Sequence, residues 1–200
     1  MITLDETIKE HLAGTLSAKR VEHIHRVADL AERLARAHGV DPVRARIAAL
    51  LHDLAREIPG PRLLEECRKR GVPIMPIDEV NPVPRLHGRL GACWARERFG
   101  IEDEDVLEAI ASHTLGRVGM TPLDMVVFLA DYAEPGRPSF DVLDRVRDLA
   151  FGDLEGATCL AMDGTMRYLI DTRRSLHPQV VDARNWILTR AAAPVREGNA

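Results

Sequence analysis

Asp41 to Gly60 reads DPVRARIAALLHDLAREIPG, and this stretch decides the fold class. Asp41-Pro42 is a helix N-cap followed by proline at the first helical position. Pro59-Gly60-Pro61 is a stop, so the apolar pattern between them predicts one helix running to about Glu57. Wound at about 100° per residue, that helix has two faces. Ile47, Leu51, Leu54 and Ile58 form a large-aliphatic stripe, whereas Ala45, Ala49, His52, Asp53 and Arg56 share the opposite side. Small alanines let a neighbouring helix approach closely, and the same side then ends in an imidazole, a carboxylate and a guanidinium. A His-Asp pair within IAALL is costly unless both groups have partners, because burying an unpaired carboxylate is strongly unfavourable. An ion pair between Asp53 and Arg56 and a bound metal are both open at this point.

Outward from this helix the same period recurs, and no run alternates apolar and polar residues long enough to demand a strand. Thr3 to Glu6 fits a capping box, and Ser17 can cap a long helix that ends at Gly39. Further helices are predicted at Arg62 to Arg70, Arg85 to Phe99, Asp103 to His113 and Thr121-Pro122 through Ala133. Others follow at Asp141 to Ala150, Asp153 to Arg174 and near Asp182 to Ala192. Residues 72–84 hold Pro73, Pro76, Pro82 and Pro84 and read as a long ordered loop bordering a site. The expected architecture is all-α: a single domain over 1–200, eight to ten helices, a core of about 17–190 and a frayed tail at 193–200.

Composition narrows the function classes. The chain has 200 residues, 29% charged and 46% hydrophobic, with a net charge of −4, which weakens any reading as a non-specific nucleic-acid binder. No run of about 18 apolar residues occurs and the first residues do not form a secretory signal, so a cytoplasmic protein is expected. Cys67, Cys93 and Cys159 are odd in number and lack any CxxC spacing, as reduced thiols would be. Eight histidines are the unusual count.

Helical geometry places those histidines. Val27, Leu30 and Leu34 lie about 40°, −20° and 20° from His23, which centres it on a buried face, while His25 falls roughly 200° away and should be solvated. His87 shares a face with Leu90, Gly91 and Trp94, and His113 follows Val106 and Ile110 at helical spacing. Asp131 interrupts MVVFLADYA on the side of Leu123 and Val127, where a carboxylate needs a cation. His23, His52, Asp53, His87, His113 and Asp131 are thus six ligand-capable groups on inward faces of different helices, and bundle cores build metal sites in this way.

Imidazoles with two carboxylates and no thiolate suit Fe, Mn, Co or Zn rather than an all-oxygen Mg or Ca cage. Six protein ligands can saturate one ion or leave two ions open, and catalysis requires open positions, so two metals sharing a carboxylate is the productive arrangement. Such a centre keeps net positive charge and suits hydrolysis of phosphate esters or anhydrides. Arg56, and Arg117 in SHTLGRVGM, are candidate phosphate clamps, and Gly116 and Gly119 would let the loop backbone approach a ligand.

Five strings together, RVEHIHRV (20–27), IAALLHDLAR (47–56), LHGRLGA (86–92), AIASHTLGRVGM (109–120) and FLADYAEPGR (128–137), resemble the HD-domain metal-dependent phosphohydrolases in the version that can hold two metals. They are similar more narrowly to the bacterial YqeK family, described as symmetrical diadenosine tetraphosphate hydrolases. The resemblance runs from about Arg20 through Asp153 to Arg184-Asn185-Trp186. It implies an all-α HD fold, a centre usually described as containing iron, and cleavage of diadenosine tetraphosphate into two ADP. By position, His23, His52, Asp53 and Asp131 would hold one metal and His87 and His113 the second, with Asp53 bridging. Asp53, His87 and Arg56 would serve catalysis. Thr114, Gly116 and Arg117 match the family's HTxGR string, and Tyr132, Glu134, Pro135 and Arg137 its ADYxEPxR string, which implies places around the substrate. Lysine is usual in the family where this chain has Arg56, so charge is kept while reach and geometry change.

The sequence therefore predicts a dinucleoside polyphosphate hydrolase. Another nucleotide substrate, such as a dNTP or an alarmone, a non-catalytic nucleotide-binding regulator and a di-iron oxygenase are the alternatives. Neither nucleic acid nor membrane is expected as a partner, and a homodimer is compatible with the sequence.

Overall fold

Three of the first helices begin where their capping residues dictate. Thr3 and Glu6 close a reciprocal box on α1 (Leu4–Thr15), the Ser17 side chain accepts from Arg20 N to start α2 (Ala18–Ala37), and Asp41 accepts from Val43 N and Arg44 N ahead of Pro42 in α3 (Pro42–Leu51). The remaining elements are α4 (Gly60–Lys69), α5 (Pro76–Val80), α6 (Val83–Phe99), α7 (Glu104–Ser112), α8 (Pro122–Ala133), α9 (Asp141–Leu149), α10 (Leu154–Asp171) and α11 (Pro178–Ala191). This computed structural model describes residues 3–191, which comprise eleven helices and no strand; the tail expected to fray lies outside them.

Among the described residues eleven helices form where eight to ten were expected, and three local expectations are corrected with that count. The span 72–84 contains α5 and the start of α6 rather than continuous loop. Pro76 and Pro84 occupy first-turn positions, where a missing N–H costs no hydrogen bond, so these prolines start helices instead of breaking them. Likewise α11 begins at Pro178, four residues before the expected Asp182. The third difference bears on the site. Helix α3 stops at Leu51, and His52 to Glu57 continue as turns closed by Leu54 N to Leu51 O at 3.2 Å and Arg56 N to Asp53 O at 2.9 Å.

Helix α8 is apolar nearly all round, with Leu123 through Ala130 buried, and such a helix belongs at the centre of a domain. It packs against α2, α3, α7, α9 and α10. Its two carboxylates are Asp124 in the first turn and Asp131 near the end. Helices α2 and α3 approach through alanines, with Ala28, Ala31, Ala35, Ala45, Ala48 and Ala49 all fully buried. Helix α6 comes equally close to α7 at Gly88, where a Cβ would lie 2.8 Å from the Ile110 carbonyl oxygen and 3.1 Å from His113 Cε1. That glycine brings His87 alongside His113. Among the described residues no helix is long and apolar enough to cross a membrane.

Candidate metal centre

The ends of α3 and α7 build the same local device. The last four carbonyls of a helix have no intrahelical donor, and a side chain just beyond can satisfy one. His52, directly after α3, turns Nδ1 onto the Ala49 carbonyl at 2.6 Å, and His113, directly after α7, turns Nδ1 onto the Ile110 carbonyl at 2.8 Å. In α6 the His87 Nδ1 donates to the Val83 carbonyl at 2.6 Å. His23 in α2 places Nδ1 3.4 Å from Glu134 Oε1. A carbonyl oxygen can only accept, so these contacts fix the proton of His52, His87 and His113 on Nδ1 and leave the Nε2 lone pair free, as metal-ligating histidines require.

All four Nε2 atoms converge on two carboxylates. Asp53 Oδ2 lies 3.7 Å from His23 Nε2 and 3.4 Å from His52 Nε2, while Asp53 Oδ1 lies 3.1 Å from His87 Nε2 and 4.0 Å from His113 Nε2. Asp131 Oδ1 is 3.1 Å from His23 Nε2 and 3.9 Å from His52 Nε2, and the Nε2 atoms of His87 and His113 are 3.0 Å apart. Each oxygen of Asp53 thus faces a different histidine pair. Two overlapping sets, His23/His52/Asp131 and His52/Asp53/His113, bring their ligand atoms within 4.8 Å of one another, so the described residues could hold divalent metal.

The arrangement fits a cation and little else. Neither His23 Nε2 nor His52 Nε2 makes a hydrogen bond, although both are buried atoms, and unsatisfied buried acceptors are costly. Burial alone would drive the His52 pKa down, yet the Asp53 and Asp131 carboxylates outweigh it and hold it up at about 9. Burial would likewise raise Asp53 and Asp131, but the surrounding imidazoles keep both carboxyls below their ordinary range. His113 goes the other way, pushed down to about 3 by burial and by His87 and His52, and so stays neutral. A field that stabilises carboxylates and one imidazolium at the same spot is a field that attracts positive charge.

An HD domain family model matches residues 20–136. The chain belongs to the HD-domain family. It is 35% identical over 174 residues, 87% of this chain and 92% of the relative, to the symmetrical bis(5'-nucleosyl)-tetraphosphatase of Bacillus subtilis (strain 168). To the protein of the same name in Halalkalibacterium halodurans it is 34% identical over 186 residues, 92% of this chain and 94% of that one. A crystal structure of an HD superfamily hydrolase from Clostridium acetobutylicum, described as involved in NAD metabolism, superposes with a TM-score of 0.89 at 39% identity, covering 92% of this chain and 97% of that one.

All six converging side chains lie inside the span matched to the HD domain, while much of the adjoining cavity does not. That cavity, of about 830 Å³, opens beside His113 and Asp131. Thr114 and Tyr132 line it from within the matched span, Arg137 stands one residue beyond it, and Phe140, Tyr168 and Asp171 close it from α9's approach and α10. Thr114 Oγ1 is 3.1 Å from His113 Nε2, and Arg137 donates to the Asp131 carbonyl at 3.0 Å.

Several residues expected around the substrate are engaged by partners within the protein. Gly116 is buried, and a Cβ there would come within 2.5 Å of Met162 Cε and 3.0 Å of Ala183 Cβ, so it packs on α10 and α11. Arg117 is engaged by Asp124 at 2.7 Å and Glu108 at 3.5 Å, at the far end of α8 from Asp131, because the fully buried Asp124 needs a cation. Glu134 is buried between Arg26, at 2.7 Å, and His23, and braces the imidazole from behind. Pro135 lines a separate groove with Leu30 and Phe151. Arg56 sits at the outer edge of His87, with Nη1 3.4 Å from Nδ1. It does not pair with Asp53.

The cation that does pair with Asp53 is Arg20, whose Nη1 lies 2.7 Å from Oδ2. Sequence reasoning missed it, although its spacing three residues before His23 puts both on one face of α2. Arg147 donates to the Ala133, Glu134 and Arg137 carbonyls and so fixes the loop that carries Glu134 and Arg137. The other histidines find structural partners: His11 stacks edge-on against Phe99, His38 Nε2 meets the Ala150 carbonyl at 2.7 Å, and His177 pairs with Asp78. His25 is partly buried rather than fully solvated. Cys67, Cys93 and Cys159 are free, and burial pushes the Cys67 thiol up to about 11, which makes it inert as a nucleophile.

Proposed function

We propose that this chain is a symmetrical bis(5'-nucleosyl)-tetraphosphatase, an HD-domain hydrolase that cleaves diadenosine tetraphosphate to two ADP with two divalent ions, iron first among Fe, Mn, Co and Zn. The observation that carries the chemistry is Asp53, with one oxygen toward His23 and His52 and the other toward His87 and His113. The choice of a dinucleoside tetraphosphate is supported by relatives that bear that name over about nine-tenths of the chain. Three unpaired thiols fit a reaction in the cytoplasm.

In this reading His23, His52, Asp53 and Asp131 would hold one ion, and His87 and His113 would hold the other together with Asp53. Bound divalent ions lower the pKa of water and neutralise charge gathering on phosphoryl oxygens. The chain's own work is to aim and to exclude. Glu134 and the Ala49, Val83 and Ile110 carbonyls hold four rings so that every Nε2 faces inward. Arg20, 2.7 Å from Oδ2, orients the Asp53 carboxylate. Thr114 and Arg137 stand where phosphate would leave the centre for the cavity, and Tyr132, Phe140 and Tyr168 offer the aromatic faces on which a purine stacks, worth about 1–3 kcal/mol per base by general experience. Arg56, half-buried at the outer edge of His87, adds positive charge there.

Product analysis tests the proposal. Iron- or manganese-loaded protein given diadenosine tetraphosphate should release ADP alone, and Asp53→Ala should release none. ATP plus AMP would refute symmetric cleavage. Faster turnover of a dNTP, an alarmone or a nicotinamide dinucleotide in the same panel would reassign the substrate, and tight binding without turnover would make the chain a regulator.

A further inference from the structure

Helix α6 shows His87 to the metal centre and, two residues to either side, Arg85 and Arg89 to the opposite face. On that face lies a buried polar network outside the centre. Asp78 of α5 is fully buried, accepts from Met75 N at 2.9 Å and meets His177 Nε2 at 3.1 Å. Gln179 N donates to His177 Nδ1 at 3.1 Å, which leaves the His177 proton on Nε2 for Asp78. Arg89 donates to the Pro73 carbonyl at 3.1 Å and to the side-chain oxygen of Gln179. The Gln179 amide nitrogen then donates to the Gly116 carbonyl.

The partners dictate how Gln179 is turned. Arg89 can only donate and a carbonyl can only accept, so the amide oxygen must face Arg89 and the NH2 must face Gly116. No other side chain of this length supplies one acceptor and one donor at once. Gly116 lies in the connection between α7 and α8, two residues after Thr114 and three after His113, with φ at +66° and its α-carbon against Met162 and Ala183. The network therefore starts on the helix that carries His87 and ends on the loop that follows His113. Those two rings are the pair whose Nε2 atoms lie 3.0 Å apart.

We infer that Gln179 is a positioning residue that fixes the His113–Thr114 turn against His87, so that α11, which lies beyond the 20–136 span matched to the HD domain, completes one half of the metal centre. The inference rests on the two-metal reading above. It does not extend to the other half, because His23, His52 and Asp131 make no contact with this network among the hydrogen bonds of the described residues.

Mn2+ titration of the full chain by calorimetry, with steady-state kinetics on diadenosine tetraphosphate, separates this role from general support. Gln179→Glu keeps an oxygen for Arg89 but sets a second acceptor against the Gly116 carbonyl, and Gln179→Met removes the donor without adding charge. In either variant the weaker of two Mn2+ steps should loosen about 10- to 100-fold, as loss of an outer support typically does, with the tighter step unchanged. The kinetic loss should fall on kcat rather than KM. Asp163→Asn is the control, since it strips the charge from the 2.8 Å Arg184 contact that joins α10 to α11 and so weakens it without touching Gly116; it should leave both steps as they are. Wild-type titrations for both Gln179 variants overturn the inference, as does equal weakening in Asp163→Asn, which would mean that any loosening of α11 suffices. If His113→Ala loses an ion while both Gln179 variants keep it, the inference fails alone. A wild-type chain that binds one ion only, or a His113→Ala chain that titrates like wild type, overturns the two-metal reading and this inference with it.

Discussion

At the metal centre six side chains from five helical segments meet, and three of them, His52, His87 and His113, are aimed by carbonyls three or four residues back in their own chain; the cavity beside it is walled by aromatic side chains from α8, α10 and the approach to α9 with few polar ties. His52 and His113 take their aim from carbonyls three residues back, so the backbone that forms the helix also sets the ligand. Phe140 and Tyr168 are instead 47% and 53% exposed and have no such anchor. The contrast separates two kinds of constraint. A centre aimed by helix ends must keep its geometry for the chemistry to exist, while a wall of exposed aromatics can change which nucleotide is favoured without disturbing the centre.

The largest effect should come from breaking the shared carboxylate. Asp53→Ala removes a group that faces both histidine pairs, so metal content should fall at both positions and turnover by on the order of 10³-fold or more, as expected when several kcal/mol of transition-state stabilisation are lost. Elemental analysis beside an ADP-release assay measures this, and full metal content with near-normal turnover would end the two-metal reading.

A smaller loss is expected from Glu134→Gln. Glu134 braces His23 and accepts from Arg26 but does not line the cavity, so metal affinity should weaken about 10-fold or somewhat more with little change in KM. A KM effect without a metal effect would return Glu134 to the substrate. The cavity wall should behave in the reverse way: Tyr168→Ala should raise KM about 10-fold, leave kcat within a factor of about 3 and leave metal content intact, because stacking binds ground and transition states alike.

How much of this was legible in the sequence follows the same division. The helix starts at Thr3, Ser17, Asp41, Asp103 and Thr121 could be read because capping is local chemistry, and the four inward histidines could be placed because their helices have clear apolar faces. The prolines of 72–84 misled because the same residue breaks a helix in its interior and opens one at its first turn. Arg20 was hidden since an arginine on a half-exposed face gives no signal until its partner is known. The α10 side of the cavity was invisible for a different reason. Gly164 lies against Tyr132, and Thr165 and Tyr168 reach the same cavity, only through tertiary packing, and no spacing in LEGATCLAMDGTMRYLID announces it.

Arg117 gives the sharpest case, because its string matched a substrate motif and its side chain went elsewhere. If Arg117 serves Asp124 rather than phosphate, Arg117→Met should leave KM, kcat and metal content unchanged and reduce stability, by about 1–3 kcal/mol given that the arginine is partly exposed. The pH dependence carries the distinguishing sign. Burial already raises the Asp124 pKa, while Arg117 and the Thr121 backbone pull it back. Without the arginine the carboxyl rises further, and a group whose folded pKa is raised stabilises the fold below that pKa and loses this contribution as pH climbs through it. Thermal unfolding of Arg117→Met should therefore show its largest deficit against wild type on the high-pH side, and the deficit should shrink as the pH falls toward the ordinary carboxylate range and the buried carboxyl takes up a proton. A deficit that stays constant with pH, together with a raised KM, would put Arg117 back at the substrate and the motif reading with it.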